Sequence, residues 1–103
     1  MEDVLKNELS TYLMDKYSMS NEDAERITEL NFSLTKRLLN GNVRFQFIKA
    51  DGTIREANGT LQADAIPEIK NKRATNFDVQ TYFDTDKNEF RCFKKANLVG
   101  ICQ

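Results

Sequence analysis

Apolar positions along the chain keep a helical period first and a strand period afterwards. Over residues 3–17, Leu5, Leu9, Tyr12, Leu13 and Tyr17 recur three and four apart, which places them on one helical face. The pattern predicts an amphipathic helix of about four turns that stops near Ser18. Ser20-Asn21-Glu22-Asp23 then reads as a capping box, with Ser20 as N-cap and Asp23 reaching back to a free amide. Ala24, Ile27, Leu30, Leu34 and Leu38 form the next stripe, and Asn40-Gly41 predicts a left-handed glycine cap. Phe32 and Leu39 fall off this stripe, so the second helix is expected to meet neighbours on two sides.

From Val43 the period becomes two. Val43, Phe45 and Phe47 lie on one pleat face, and Asp51-Gly52 supplies a turn. A two-residue loop would set Phe47 opposite Glu56 and Phe45 opposite Asn58, pairing the buried face with polar groups. A three-residue loop, Ala50-Asp51-Gly52 with Gly52 left-handed, sets Phe45 opposite Ala57, Val43 opposite Gly59 and Ile48 opposite Ile54 on the reverse face. The second register is therefore expected. Residues 62–76 carry the only proline, Pro67, and read as a connecting loop with one short strand around residues 65–69. Phe77, Val79, Thr81 and Phe83 alternate again, Thr85-Asp86-Lys87-Asn88 forms a polar turn, and residues 89–95 return as the partner strand. Phe45, Phe47, Phe77, Val79 and Phe83 are expected to face one core, with Tyr82 and Phe93 out of phase on a partly covered outer face. Leu98, Val99 and Ile101 predict a closing strand.

Several short strands in so small a domain favour a bent, closed sheet, because closure removes edges that little else could cover. The expected fold is α+β. A helical hairpin over residues 1–41, packed on the barrel or on a second copy, precedes a small SH3-like or Sm-like β-barrel of about five strands over residues 42–103. The whole forms one compact domain.

Composition narrows the function. At 103 residues the chain has room for one modest core, and its 30% charged and 40% hydrophobic content suits a soluble globular protein. The net charge of −1 hides a polarity: residues 1–40 hold five Lys and Arg against eight Asp and Glu, and the remainder ten against eight. Neither an export signal nor a membrane span is legible, so a cytoplasmic location and no membrane partner are expected. Cys92 and Cys102 then read as reduced thiols with a packing role, and the sequons at Asn31 and Asn58 as incidental. The chain has no histidine, which removes Ser-His and Cys-His nucleophile pairs and the common zinc sets. Asp84 and Asp86 flank a turn and read as backbone caps before metal ligands. No enzyme activity, cofactor or metal is expected.

The segment FIKADGTIREANGTL, followed after the proline-containing loop by YFDTDKNEFRCFKKANLVGI, resembles the WYL-like small-barrel family, described as an Sm-like SH3 β-barrel. The residues that carry the resemblance are Asp51 to Ala57, Gly59-Thr60 and Phe90-Arg91-Cys92-Phe93. Phe90 stands where the family usually has tryptophan. The resemblance spans residues 43–101 and leaves out the helical hairpin. It implies a fold and a setting, in phages and bacteria of the Bacteroides group, and no general activity.

Cations supply the remaining candidate chemistry. Arg44, Arg55, Arg91, Lys94 and Lys95 sit on the two hairpins, and Lys70, Lys72 and Arg73 on the loop. With Tyr82 and Phe93 they could form a basic, partly aromatic surface suited to single-stranded nucleic acid, whose phosphates track cations and whose bases stack on rings. The competing reading is a solvated strand face balanced by Glu56, Asp78 and Glu89. The expected function is a non-enzymatic accessory or regulatory factor for single-stranded nucleic acid, acting singly or as a homo-oligomer. The alternative is an interaction or inhibitor module that occupies a host protein through the helical hairpin or a barrel pocket.

Overall fold

The computed structural model of the chain describes residues 2–62 and 77–102. The expected strand at residues 65–69 and the cations Lys70, Lys72 and Arg73 lie outside the described residues. Helix α1 (Glu2–Tyr17) ends where Ser18 takes a left-handed φ of 55°. Helix α2 (Asn21–Asn40) is capped by Ser20, whose hydroxyl accepts the Asp23 amide at 3.2 Å. The box is only half closed, because the Asp23 carboxylate faces Arg26 at 3.8 Å. Gly41 is also not the left-handed cap expected: its φ of 169° is extended backbone leading straight into the first strand.

Five antiparallel strands follow: β1 (Val43–Ile48), β2 (Ile54–Thr60), β3 (Val79–Asp84), β4 (Glu89–Lys94) and, after a 3-10 turn at Lys95–Asn97, β5 (Leu98–Ile101). Their order in the sheet is β4-β3-β2-β1-β5. The β1–β2 register is the one that the apolar alternation predicts, with Val43 opposite Gly59, Phe45 opposite Ala57 and Ile48 opposite Ile54. Lys49 donates its amide to Thr53 O, and Gly52, at φ 89°, closes the three-residue loop between them. Strand β2 then changes partner, meeting β3 only through Gly59 and Thr60.

One hydrophobic core joins the sheet to α2. Leu34 and Leu38 pack with Phe45, Phe47, Ala57, Tyr82, Phe93 and Leu98. Phe45 lies with ring centroids 5.0 Å from Tyr82 and 5.4 Å from Phe93, so Tyr82 and Phe93 are central core residues and not outer-face rings. The phase expected of β3 is therefore inverted. Tyr82 points inward, Phe83 packs edge-on against Phe90 on the other face, and Phe77 stands exposed before the strand. Aromatics on both faces of β3 make its alternation ambiguous, and the fit of the Tyr82 ring beside Gly59 decides it.

A second cluster holds the helices together: Leu9, Leu13, Ala24 and Ile27, with Phe32 packed against them. Helix α2 thus contacts α1 on one side and the sheet on the other. Leu5 and Leu39, expected at helix contacts, are exposed. The tie between α1 and the sheet joins an edge-on contact of Tyr12 with Phe77, ring centroids 5.2 Å apart, to a set of polar bonds. Asp78 Oδ1 accepts the hydroxyls of Tyr17 at 2.5 Å and Tyr12 at 3.1 Å, and Lys16 lies 3.4 Å from its other oxygen.

Candidate functional site

Successive side chains of a strand point to opposite faces, and that alternation distributes the candidate cations. Arg55 shares a face with Ala57, and Arg91 with Phe93, so both lie on the core-facing side at one mouth of the sheet. There they converge on Asp84, which is fully buried. Arg55 Nη2 sits 2.9 Å from Asp84 Oδ2 and Arg91 Nε 3.7 Å, while Arg91 Nη2 also pairs with Glu89 at 2.6 Å. The other Asp84 oxygen accepts the amides of Asp86 and Lys87 at 3.0 Å each. Asp84 is thus the turn cap that its place in the sequence suggests and, in addition, a buried counter-ion.

Lys94 lies on the opposite face of β4 from Arg91. The single surface expected to carry Arg55, Arg91 and Lys94 is therefore not formed. Lys95 leaves the strand altogether: it begins the 3-10 turn, with its ammonium 4.6 Å from the Phe77 ring centroid, and burial holds its pKa below the ordinary lysine value. Tyr82 and Phe93 lie in the core, which removes them from any base-stacking surface. The Tyr82 hydroxyl and Arg55 Nε are buried without a hydrogen-bond partner among the described residues. Cys92 is exposed and not packed, and Cys102 is half-buried; both thiols are free.

Arg44 has a different environment. It projects from the outer face of β1 into an open groove of about 720 Å³ between the C-terminal end of α2 and the ends of β1, β2 and β5. Arg37, Asn40, Asn42, Asn58 and Cys102 line the rest. Arg37 is exposed and makes no ion pair among the described residues, in contrast to its neighbour Lys36, which pairs with Glu2 at 2.6 Å. A helix C-terminus ordinarily repels anions. Here its carbonyls are occupied: Leu38 O accepts the Leu61 amide at 2.8 Å and the Thr60 hydroxyl at 3.3 Å, and Asn40 O accepts the Gln62 side chain at 3.2 Å. Two guanidinium groups and three carboxamides therefore face a common space, a combination suited to an anionic, hydrogen-bonding ligand.

The sequence pattern does not single out Arg37. On a helical pattern it is one more polar position opposite the apolar stripe. Only the turn through Gly41-Asn42, which carries the end of α2 into the start of β1, places it on the same groove as Arg44. Among the described residues, no group of three acidic or cysteine side chains is placed to hold a metal, and no helix is long and apolar enough to cross a membrane.

Residues 31–99 match a family model described as WYL_2, Sm-like SH3 beta-barrel fold. The match begins inside α2, so it takes in the half of that helix that carries Leu34 and Leu38, beyond the strands alone. No curated protein and no solved structure matches the chain.

Proposed function

From the premise that this chain belongs to the WYL_2 family, with its Sm-like SH3 β-barrel fold, we propose that it is a non-enzymatic binding module for single-stranded nucleic acid, held by phosphates and not by stacked bases. The observation that carries this reading is the groove whose lining includes both Arg37 and Arg44 together with carboxamides. Guanidinium groups bind phosphate oxygens in pairs of parallel hydrogen bonds, and carboxamides offer both donors and acceptors to sugars and base edges. The core burial of Tyr82 and Phe93 argues against a stacking platform on this barrel.

Fluorescence anisotropy with a labelled single-stranded oligonucleotide tests the reading. Two phosphate contacts should make log K fall with log salt at a slope of about −1.4, and Arg37→Ala or Arg44→Ala should each remove about half of it. Lys94→Ala, which removes an exposed cation outside the groove, should leave the slope unchanged. Absence of binding at low salt would remove the reading.

A second reading, a protein-interaction module acting through α1, is favoured by one observation. Val4 and Leu5 lie exposed side by side on an acid-rich helix. If Val4→Glu abolishes a concentration-dependent association seen by sedimentation while the groove variants do not, the helix is the contact surface.

A further inference from the structure

A carboxylate outside the groove's lining touches two of the residues that form it, Arg44 and Cys102. Glu56 projects from the same outer face of the sheet as Arg44, diagonal to it across the β1–β2 ladder, since Arg44 stands opposite Asn58 and Gln46 opposite Glu56. One carboxylate oxygen lies 3.9 Å from Arg44 Nε, and the other accepts the Cys102 thiol at 3.6 Å. The Cys102 amide in turn donates to Arg44 O at 2.8 Å, which closes a small ring of contacts among β1, β2 and β5 at the edge of the groove.

These distances matter. At 3.9 Å the Arg44–Glu56 contact is an ion pair without a hydrogen bond, and both side chains are half exposed. Pairs of that kind contribute little to folding, so Glu56 is poorly explained as a stabilising residue. The Arg55–Asp84 pair is a contrast: it is 2.9 Å long, its carboxylate is fully buried, and it is locked further by two turn amides. The other acid near the groove, Asp86, has its carboxylate engaged by Asn58 Nδ2 at 2.9 Å and makes no contact with Arg44. Arg37 has no counter-ion among the described residues, so Glu56 is the carboxylate in contact with the groove's cations.

We infer that Glu56 is a resident competitor for Arg44, holding its guanidinium until a phosphate group of the bound strand displaces the carboxylate. This rests on the proposed phosphate-binding role of the groove and adds a specificity rule to it. A ligand must bring enough negative charge to outcompete a loosely held carboxylate, so a phosphate binds and a neutral or weakly acidic group does not. A rim carboxylate of this sort sets affinity without fixing fold.

The test is a double-mutant cycle on the intact protein, read by anisotropy with a labelled single-stranded DNA and by competition with inorganic phosphate and with acetate. Glu56→Gln should tighten DNA binding by about twofold to fivefold, the range that releasing an exposed ion pair supports. The gain should vanish in an Arg44→Ala background, because the two effects are coupled. Glu8→Gln, which removes an equal charge from the exposed face of α1, should leave affinity unchanged. Wild type should be displaced by phosphate and not by acetate, and Glu56→Gln should become sensitive to acetate. A gain that persists without Arg44, or that Glu8→Gln reproduces, would reduce Glu56 to part of the net charge and overturn the inference, with the groove still standing through its Arg37 and Arg44 dependence. No DNA binding by wild type at low salt would overturn the inference and the reading beneath it.

Discussion

Gly59 lies directly against the ring of Tyr82: a Cβ at this glycine would stand 2.6 Å from Tyr82 Cδ2 and 3.3 Å from the carbonyl oxygen of Phe83. The tyrosine cannot yield easily, since its ring is fully buried among Phe45, Phe47 and Phe93. Gly59→Ala should therefore cost about 1–3 kcal/mol by overpacking. Urea unfolding measures this directly. In a Tyr82→Leu background the penalty of the added methyl should shrink, because the two positions share one space.

Removing Asp84 should do more harm than removing any other described acid. It would leave Arg55 without its 2.9 Å partner and free two turn amides. Asp84→Ala is expected to cost about 3–5 kcal/mol. Asp84→Asn keeps an acceptor for the amides and should recover part of the loss, which comparison of the two unfolding midpoints would show.

The Tyr17–Asp78 contact makes stability depend on pH at both ends of the scale. Burial, and then the bond to the Asp78 carboxylate, push the Tyr17 hydroxyl up to about 12 from its ordinary 10.0. The unfolded chain therefore loses this proton first, so the stabilisation is complete below pH 10 and is lost as pH rises towards 12. For Asp78, burial acts to raise the pKa, but the hydroxyls of Tyr17 and Tyr12 and the charge of Lys16 outweigh it and hold the carboxyl below its ordinary 3.8. Its contribution is present above that value and is lost as pH falls through the lowered one. Tyr17→Phe should lower stability at neutral pH by about 1–3 kcal/mol and flatten the alkaline limb of a thermal-melt profile.

A chain that starts at Asn42 should not fold by itself. Leu34 and Leu38, both fully buried, belong to the same core as Phe45 and Phe47, and their loss would open that core to water. The expected result is dye binding with no near-ultraviolet dichroism and no cooperative melt. A cooperative melt would make the strands independent of the helices.

How much of this was legible in the sequence depended on whether one face alone was apolar. In β1 it was: Phe45 and Phe47 alternate with polar residues, and Gly52 marks the loop, so the register followed to the residue. In β3 both faces carry aromatics, and alternation gave Phe77, Val79 and Phe83 where packing chose Tyr82. The Asp84 cluster was half visible, because an aspartate before a turn announces a cap, whereas the arrival of Arg55 from another strand depends on how β2 bends. The groove was the least visible feature, since Arg37 and Arg44 look like ordinary solvated positions until Gly41 runs extended and joins their elements.

The two hairpins share a ladder of only Gly59 and Thr60. Two ladder residues make a short seam, which is supplemented by the Thr85 amide on Asn58 O at 3.0 Å and by the buried Arg55–Asp84 pair. Helix α2 serves as a splint. Its Leu38 carbonyl takes the Thr60 hydroxyl at the seam itself, Thr35 reaches Gln80 at 3.5 Å on the second hairpin, and the Asn31 carboxamide grips Lys95 O at 3.0 Å where the chain crosses to β5. The groove lies at the foot of that splint, so the helix that bridges the two hairpins also supplies part of the groove's lining through Arg37 and Asn40.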